Sequence, residues 1–429
     1  MRRWRTDAAA LGLAAALLLV AALGAATRAY SDPKPANTSA FSAEGLKHVG
    51  DYFANEVATG KIPGAVVLIQ QHDKPVYFET FGFRDVVAHT PMTKDAIFRI
   101  YSMSKPITSV AVMMLVDDGK LALSDPLSKY IPVFADVKVA VEKKDGSGKP
   151  ALATELLARP ITIEDLLRHT SGLTYGFYGD SPIRKLYAGS DLFAGDFDNA
   201  QFVERLAKLP LAEQPETLWD YGHSTDVLGR VVEIVSGKPL YQFEKQRLLD
   251  PLGMTETVFY VADAAKRPRI AEPMPDDRFI GPIAGIRDPM MRHWESGGAG
   301  MVGTIGDYAR FAQMLLNGGT LDGRRYLKSE TIALMTSDHI GPETRIGHDY
   351  FYFPGSSSGF GLGFAVRTST PPNTSWPIGE YRWDGAAGTF FFIDPKDDMF
   401  VIFMVQTPSE QRGRIQLALK TLIYEALMN

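Results

Sequence analysis

The chain has 429 residues, 45% of them hydrophobic and 22% charged, with a formal net charge of −5. That is the balance of an ordinary globular protein with enough chain for a sizeable core. Acidic and basic residues are interspersed, which argues against a nucleic-acid footprint or a polybasic membrane patch, and 0 Cys excludes thiol nucleophiles, thiolate metal sites, iron–sulfur clusters and disulfides.

In chain order, Arg2, Arg3 and Arg5 precede an apolar run over 8–23 that is too short to span a bilayer comfortably. The pattern predicts a signal peptide over 1–29 and a disordered, Pro- and Asn-containing lead-in over 30–40. A periplasmic or secreted protein without a stable membrane span after cleavage follows, an uncleaved anchor being the alternative. One domain is expected over 41–429. Helical spacing over 44–58 is followed by β-rich runs over 64–70 and 75–81, split by the polar turn His72-Asp73-Lys74. A second helical pattern runs over 104–118, with Gly119 as its stop. The middle, roughly 121–289, reads as helical segments (163–168, 200–209, 225–235) with little strand character. Residues 172–199 are expected to form a loop-rich rim where substrate preference is set. Strand patterns return at 359–368, 381–383, 389–393 and 399–406, and a helix over 411–427 closes the chain. Strands at both ends around a helical middle predict an α/β (α+β) architecture: one sheet built from both termini, with a mostly helical lobe inserted beside it. A cleft between the two is the expected site.

A serine becomes a nucleophile when one neighbour takes its proton and another stabilises the charge that builds on the attacked carbonyl. Ser102-Met103-Ser104-Lys105 places a serine and a lysine three apart at the start of a helix, on one face of its first turn. The same spacing at Ser31 and Lys34 lies in the lead-in, where no helix holds the geometry. Tyr221 precedes another helix in Trp219-Asp220-Tyr221-Gly222-His223, and it would act as a base only beside a cation such as Lys105. In Trp383-Asp384-Gly385-Ala386-Ala387-Gly388, small residues interrupt a strand. The Ala386 N–H is a candidate partner for the Ser102 N–H in an oxyanion hole. A helix cap, a buried aromatic and a plain β-turn are the bland readings of these three elements. Gly355-Ser356-Ser357-Ser358-Gly359 matches the Gly-x-Ser-x-Gly motif but lies in a loop before a strand. Ser224 follows no convincing strand and lacks the second glycine, so neither serine has the strand, sharp turn and helix that motif requires. No metal-ligand pair, phosphate loop or dinucleotide fingerprint stands out, and His169 reads as a helix C-terminal residue completing the dipole.

Together the three elements, with Ile161 to Tyr175 (ITIEDLLRHTSGLTY) and Ser296 to Gly319 (GGAGM, ARFAQMLLNGG), resemble the serine β-lactamase and penicillin-binding family. Within it, the likeness is to the class C β-lactamase-like esterases called family VIII carboxylesterases. The resemblance implies a β-lactamase/transpeptidase-like fold and an acyl-enzyme on Ser102. Lys105 and Tyr221 would shuttle the proton, and the amides of Ser102 and Ala386 would form the oxyanion hole, with no cofactor. Trp383-Asp384-Gly385 stands where β-lactamases carry Lys-Thr-Gly, so the cation for a drug or peptide carboxylate is missing and Asp384 would repel an anion. His223 stands where β-lactamases have Asn. Trp383, Asp384, Gly385 and His223 are thus the candidate substrate-binding residues, His223 being otherwise a structural or rim histidine. The expected substrate is a small carboxylic ester. β-Lactams or D-amino-acid peptides and amides are the alternative, and a catalytically inactive cell-envelope binding module is the rival from another class.

Overall fold

In the computed structural model, residues 40–144, 146–148, 150–277, 293–340, 344–346, 354–407 and 409–428 are described. The residues predicted as a signal peptide, nearly all of the predicted lead-in and the Ser31/Lys34 pair lie outside them. Among the described residues no helix is long and apolar enough to cross a membrane.

Helix α1 (Ala43–Ala58) starts at Ser42, whose hydroxyl accepts from the Gly45 N–H. Strands β1 (Gly64–Gln71) and β2 (Lys74–Asp85) form a hairpin through His72 and Asp73, both left-handed at φ 52° and 61°, as a two-residue turn that matches strand twist requires. A short β3 (Thr90–Pro91) edges the sheet. Five late strands complete it: β4 (Ser358–Phe360), β5 (Ala365–Arg367), β6 (Tyr381–Asp384), β7 (Phe390–Asp394) and β8 (Met399–Val405). The order is β4-β5-β6-β7-β8-β1-β2-β3. β8 runs antiparallel to β1 with Ala65 opposite Val405 and Gln71 opposite Met399, so the first and last strands of the domain are zipped together at the centre. Alternate side chains of this pair enter different cores. Ala65, Val67, Ile69, Val401 and Phe403 pack with α1 and with α6 (Ser409–Ala426). Val66, Leu68, Ile402 and Met404 pack with the helical side. Because both faces are covered, β8 is buried at every residue and reads as an unbroken apolar run.

The helical side is organised around α2 (Ser104–Asp117), buried from Ser104 to Leu115 and apolar nearly all round, as a helix enclosed on every face must be. Against it packs α4 (Ser224–Ser236), stopped by left-handed Gly237; α3 (Ile163–Leu167), opened by a Thr162/Asp165 capping box, packs on α4, and α5 (Ile305–Leu316) packs on β8.

Two expectations needed correction. The middle section contains an antiparallel hairpin, Lys138–Lys144 with Pro150–Leu156. Its charged residues hide the alternation, and it is tied down where the Ala140 N–H donates to Leu211 O and the Leu211 N–H to Lys138 O. The run 359–368 is two strands, because Gly361-Leu362-Gly363 turns the chain, Gly363 having φ 101°.

Candidate active site

The chain enters the site through a strained turn. Tyr101 is buried and left-handed at φ 45°, a conformation that costs about 1–3 kcal/mol outside glycine. The surroundings hold it there. The Ile100 N–H donates to Met301 O (3.1 Å), the Gln406 amide to Arg99 O (3.1 Å), and the Tyr308 hydroxyl to Met103 O (3.1 Å). Ser102, in the 3-10 turn Tyr101–Met103, is left partly exposed between two buried neighbours. It is not the N-cap of α2, since that position is Met103 and no side chain caps it.

Lys105, one turn on, is 1% exposed. Its Nζ lies 3.4 Å from Ser102 Oγ, 3.1 Å from Tyr175 Oη and 2.8 Å from Gly298 O, and it sits over the ring of Tyr221 at 4.6 Å. Each hydrogen-bond partner is a neutral oxygen. Burial without a touching carboxylate disfavours the ammonium. The amine is accordingly pushed down to about 8, with Asp226 and Asp384 pulling the other way from a distance.

Tyr221 points its hydroxyl at the same spot: it hydrogen-bonds the Ser102 side chain and accepts from the Trp383 indole N–H (3.3 Å). Burial raises its pKa above the ordinary phenol value, against the pull of those two hydrogen bonds. At neutral pH the phenol therefore keeps its proton and the lysine is the group able to lose one. The structure thus brings Ser102, Lys105 and Tyr221 together, with Trp383 behind the phenol at 4% exposure.

The small residues after β6 serve the chain's own backbone first. A Cβ on Gly385 would lie 2.5 Å from Ile100 O and 2.1 Å from Thr389 Oγ1, so only glycine lets the strand end approach the turn that presents Ser102. Ala386 and Ala387 pack on Tyr101. No described residue accepts a hydrogen bond from the N–H of Ser102 or of Ala386, as an oxyanion hole requires of both donors. Asp384 is not a bare anion, because Arg412 from α6 lies 3.5 Å from its Oδ2 and the Gln416 amide donates to the same oxygen at 2.9 Å. The repulsion expected from it is correspondingly reduced.

His223 is 2% exposed. Its Nδ1 meets Asp226 Oδ2 at 2.9 Å and its ring stands edge-on to Tyr175, which places it behind the site, as a structural histidine, and not on a substrate surface. His169 is also buried, its ring 4.9 Å from that of Tyr221. Burial, with the Lys105 charge adding to it, drives its pKa well below the ordinary value, so it is a neutral ring in the core and not a cation completing a helix dipole. Sequence reasoning missed the support of the amine. Asp226, on α4, accepts from Ser296 Oγ (2.5 Å) and from the Gly298 N–H (3.1 Å), and Gly298 O in turn receives Lys105. A Cβ on Gly298 would lie 2.9 Å from Asp226 Oδ1. Burial pushes the Asp226 carboxyl up, but the hydrogen bond and charge of His223, the charge of Lys105 and the hydrogen bond of Ser296 together hold it below its ordinary value. A cavity of about 220 Å³ lined by Ile97, Tyr241, Phe259 and Lys266 contains none of these groups. Among the described residues no cluster of His, Asp and Glu could hold a metal ion.

The β-lactamase family model matches residues 49–424. The chain belongs to the β-lactamase family of serine hydrolases. It is 38% identical over 356 residues to the protein Rv1367c of Mycobacterium tuberculosis, spanning 81% of this chain and 86% of that one. Over 396 residues it is 30% identical to the esterase EstB of Burkholderia gladioli, covering 85% and 91% of the two chains. The solved structure of EstCE1, described as a hydrolase with promiscuous acyltransferase activity, superposes with a TM-score of 0.73 at 27% identity, covering 90% of this chain and 99% of that one.

Two outcomes follow from the packing. Asp226→Asn removes a charge that raises the Lys105 pKa, so the acid limb of the kcat/KM profile, expected near pH 8, should move to lower pH; an unmoved limb would separate Asp226 from the amine. Gly385→Ala should lower activity at least about tenfold and depress the melting temperature, because backbone must shift to admit the methyl; thermal melts and initial rates check both.

Proposed function

We propose that the protein hydrolyses small carboxylic esters through an acyl-enzyme on Ser102. The observation that carries this reading is the meeting of Ser102, a buried Lys105 pushed down to about 8 and a protonated Tyr221. Lys105 as the free amine takes the Ser102 proton while Oγ bonds to the ester carbon. The oxyanion receives the N–H groups of Ser102 and Ala386. As the carbon–oxygen bond to the alcohol breaks, Tyr221 gives its proton to the leaving oxygen, and the Lys105 ammonium restores the phenol. Water then enters by the reverse route and releases the acid. Trp383 serves as a positioning group, since its N–H fixes the phenol where a β-lactamase would carry a cation.

The esterase relative EstB and the hydrolase EstCE1 support ester chemistry. The indole at 383 in place of an ammonium disfavours β-lactams and peptide carboxylates, which need a cation there. The leader over 1–29 belongs to the same proposal and would deliver the enzyme to the periplasm or the medium.

Ser102→Ala should abolish turnover of short-chain p-nitrophenyl esters and fluorophosphonate labelling while leaving the thermal melt nearly unchanged. Lys105→Ala and Tyr221→Phe should each lower kcat by roughly 10²-fold or more. Faster turnover of nitrocefin than of the esters would reverse the substrate assignment, and wild-type activity in Lys105→Ala would refute the proton path.

A further inference from the structure

The chemistry above leaves an aromatic ledge beside the amine without a role. Phe177 and Phe193 are 55% and 50% exposed, although large aromatic side chains are ordinarily mostly buried. Of the two, Phe177 adjoins the amine's neighbour through a single ring contact, whereas Phe193 is linked to it across the buried His223. Phe177 lies 4.6 Å, centroid to centroid, from Tyr175, the residue whose hydroxyl receives Lys105. Tyr175 is 4.4 Å from His223, and His223 is 5.8 Å from Phe193, which also rests 5.7 Å from Trp294.

The residue that follows Phe177 is anchored. The Tyr178 hydroxyl donates to the carbonyl of Tyr221, and the Arg184 guanidinium lies 4.6 Å above the Tyr178 ring. Arg184 also bonds Thr174 Oγ1 at 2.5 Å and Asp220 at 3.0 Å. Asp180 and Lys185 of the same segment pair with each other at 2.8 Å, so their charges largely cancel. Exposed rings fixed in place bind a flat apolar partner with little ordering cost, and offset or edge-on ring contacts favour another aromatic beyond the area they cover.

We propose that Phe177 forms a subsite for an aromatic ring carried by the ester, on either its acyl or its alcohol side. This rests on Ser102 being the acylated serine, because only then does a ring on the ledge belong to the reacting molecule.

The test compares kcat/KM for ethyl butyrate, benzyl butyrate (ring on the alcohol), ethyl phenylacetate (ring on the acid) and cyclohexylmethyl butyrate (apolar, no aromatic ring), in wild type, Phe177→Ala and Phe177→Trp. At least one aromatic ester should exceed ethyl butyrate by about tenfold in wild type. That ratio should fall toward one in Phe177→Ala and persist in Phe177→Trp, and the ester that shows it identifies the side of the bond. An aromatic-to-ethyl ratio equal in wild type and Phe177→Ala overturns the subsite, as does a cyclohexylmethyl ester that gains as much as the benzyl one. An unchanged ratio with a dimer lost in Phe177→Ala, seen by light scattering, assigns the rings to a second copy and also overturns it. If wild type turns over no ester and Ser102 resists a fluorophosphonate, the hydrolase reading fails and takes the subsite with it; labelling with equal ratios defeats the subsite alone.

Discussion

The site depends on one unfavourable burial. An alkyl ammonium placed among neutral oxygens loses hydration that hydrogen bonds alone replace only in part, so Lys105 is held at about 8, within reach of losing its proton at ordinary pH. The surrounding fold maintains that environment. α2 is enclosed on all faces, the Ser296 to Gly300 loop supplies a carbonyl in place of a carboxylate, and Asp226 stands one backbone unit further away. Were Asp226 in direct contact, the ammonium would be favoured and the proposed base lost. A fully apolar pocket would make the amine neutral at the expense of the hydrogen bonds that aim it.

The second constraint is closeness. Ser102 is presented by a turn whose strain at Tyr101 is offset by packing against Ala386 and Ala387 and by bonds to α5, to Gln406 just past β8 and to the loop at Met301. Gly385 permits that approach. The sheet zipped from both ends of the domain therefore does chemical work, since β6 and β8 bring late residues against an early serine that is nearly 300 positions away in sequence. The phenol of Tyr221 is fixed between these parts by Trp383.

The sheet and the three side chains that meet at the candidate site could be read in the sequence because each leaves a local trace: apolar runs, a serine and lysine three apart before a helix, a tyrosine before another, small residues breaking a strand. What escaped was tertiary. Asp226 and Gly298 are 72 positions apart, and nothing in either segment marks their bond; Tyr175 stood in the HTSGLTY stretch without a sign that its hydroxyl meets an amine. His223 looked available to substrate, but its burial depends on Tyr175, Phe202 and Asp226 closing around it. Asp384 looked like a free anion until Arg412 and Gln416 of the closing helix reached it. The hairpin at 138–156 was masked by its lysines and glutamates, which carry no apolar alternation.

The most direct measurement of this account is the protonation of Lys105 itself, followed by NMR in protein carrying 13C-labelled lysine, with Lys105→Met assigning the resonance. A midpoint near 8 is predicted, whereas a midpoint close to the ordinary lysine value of about 10.4 would mean that burial does not supply the base and would contradict the proposed mechanism.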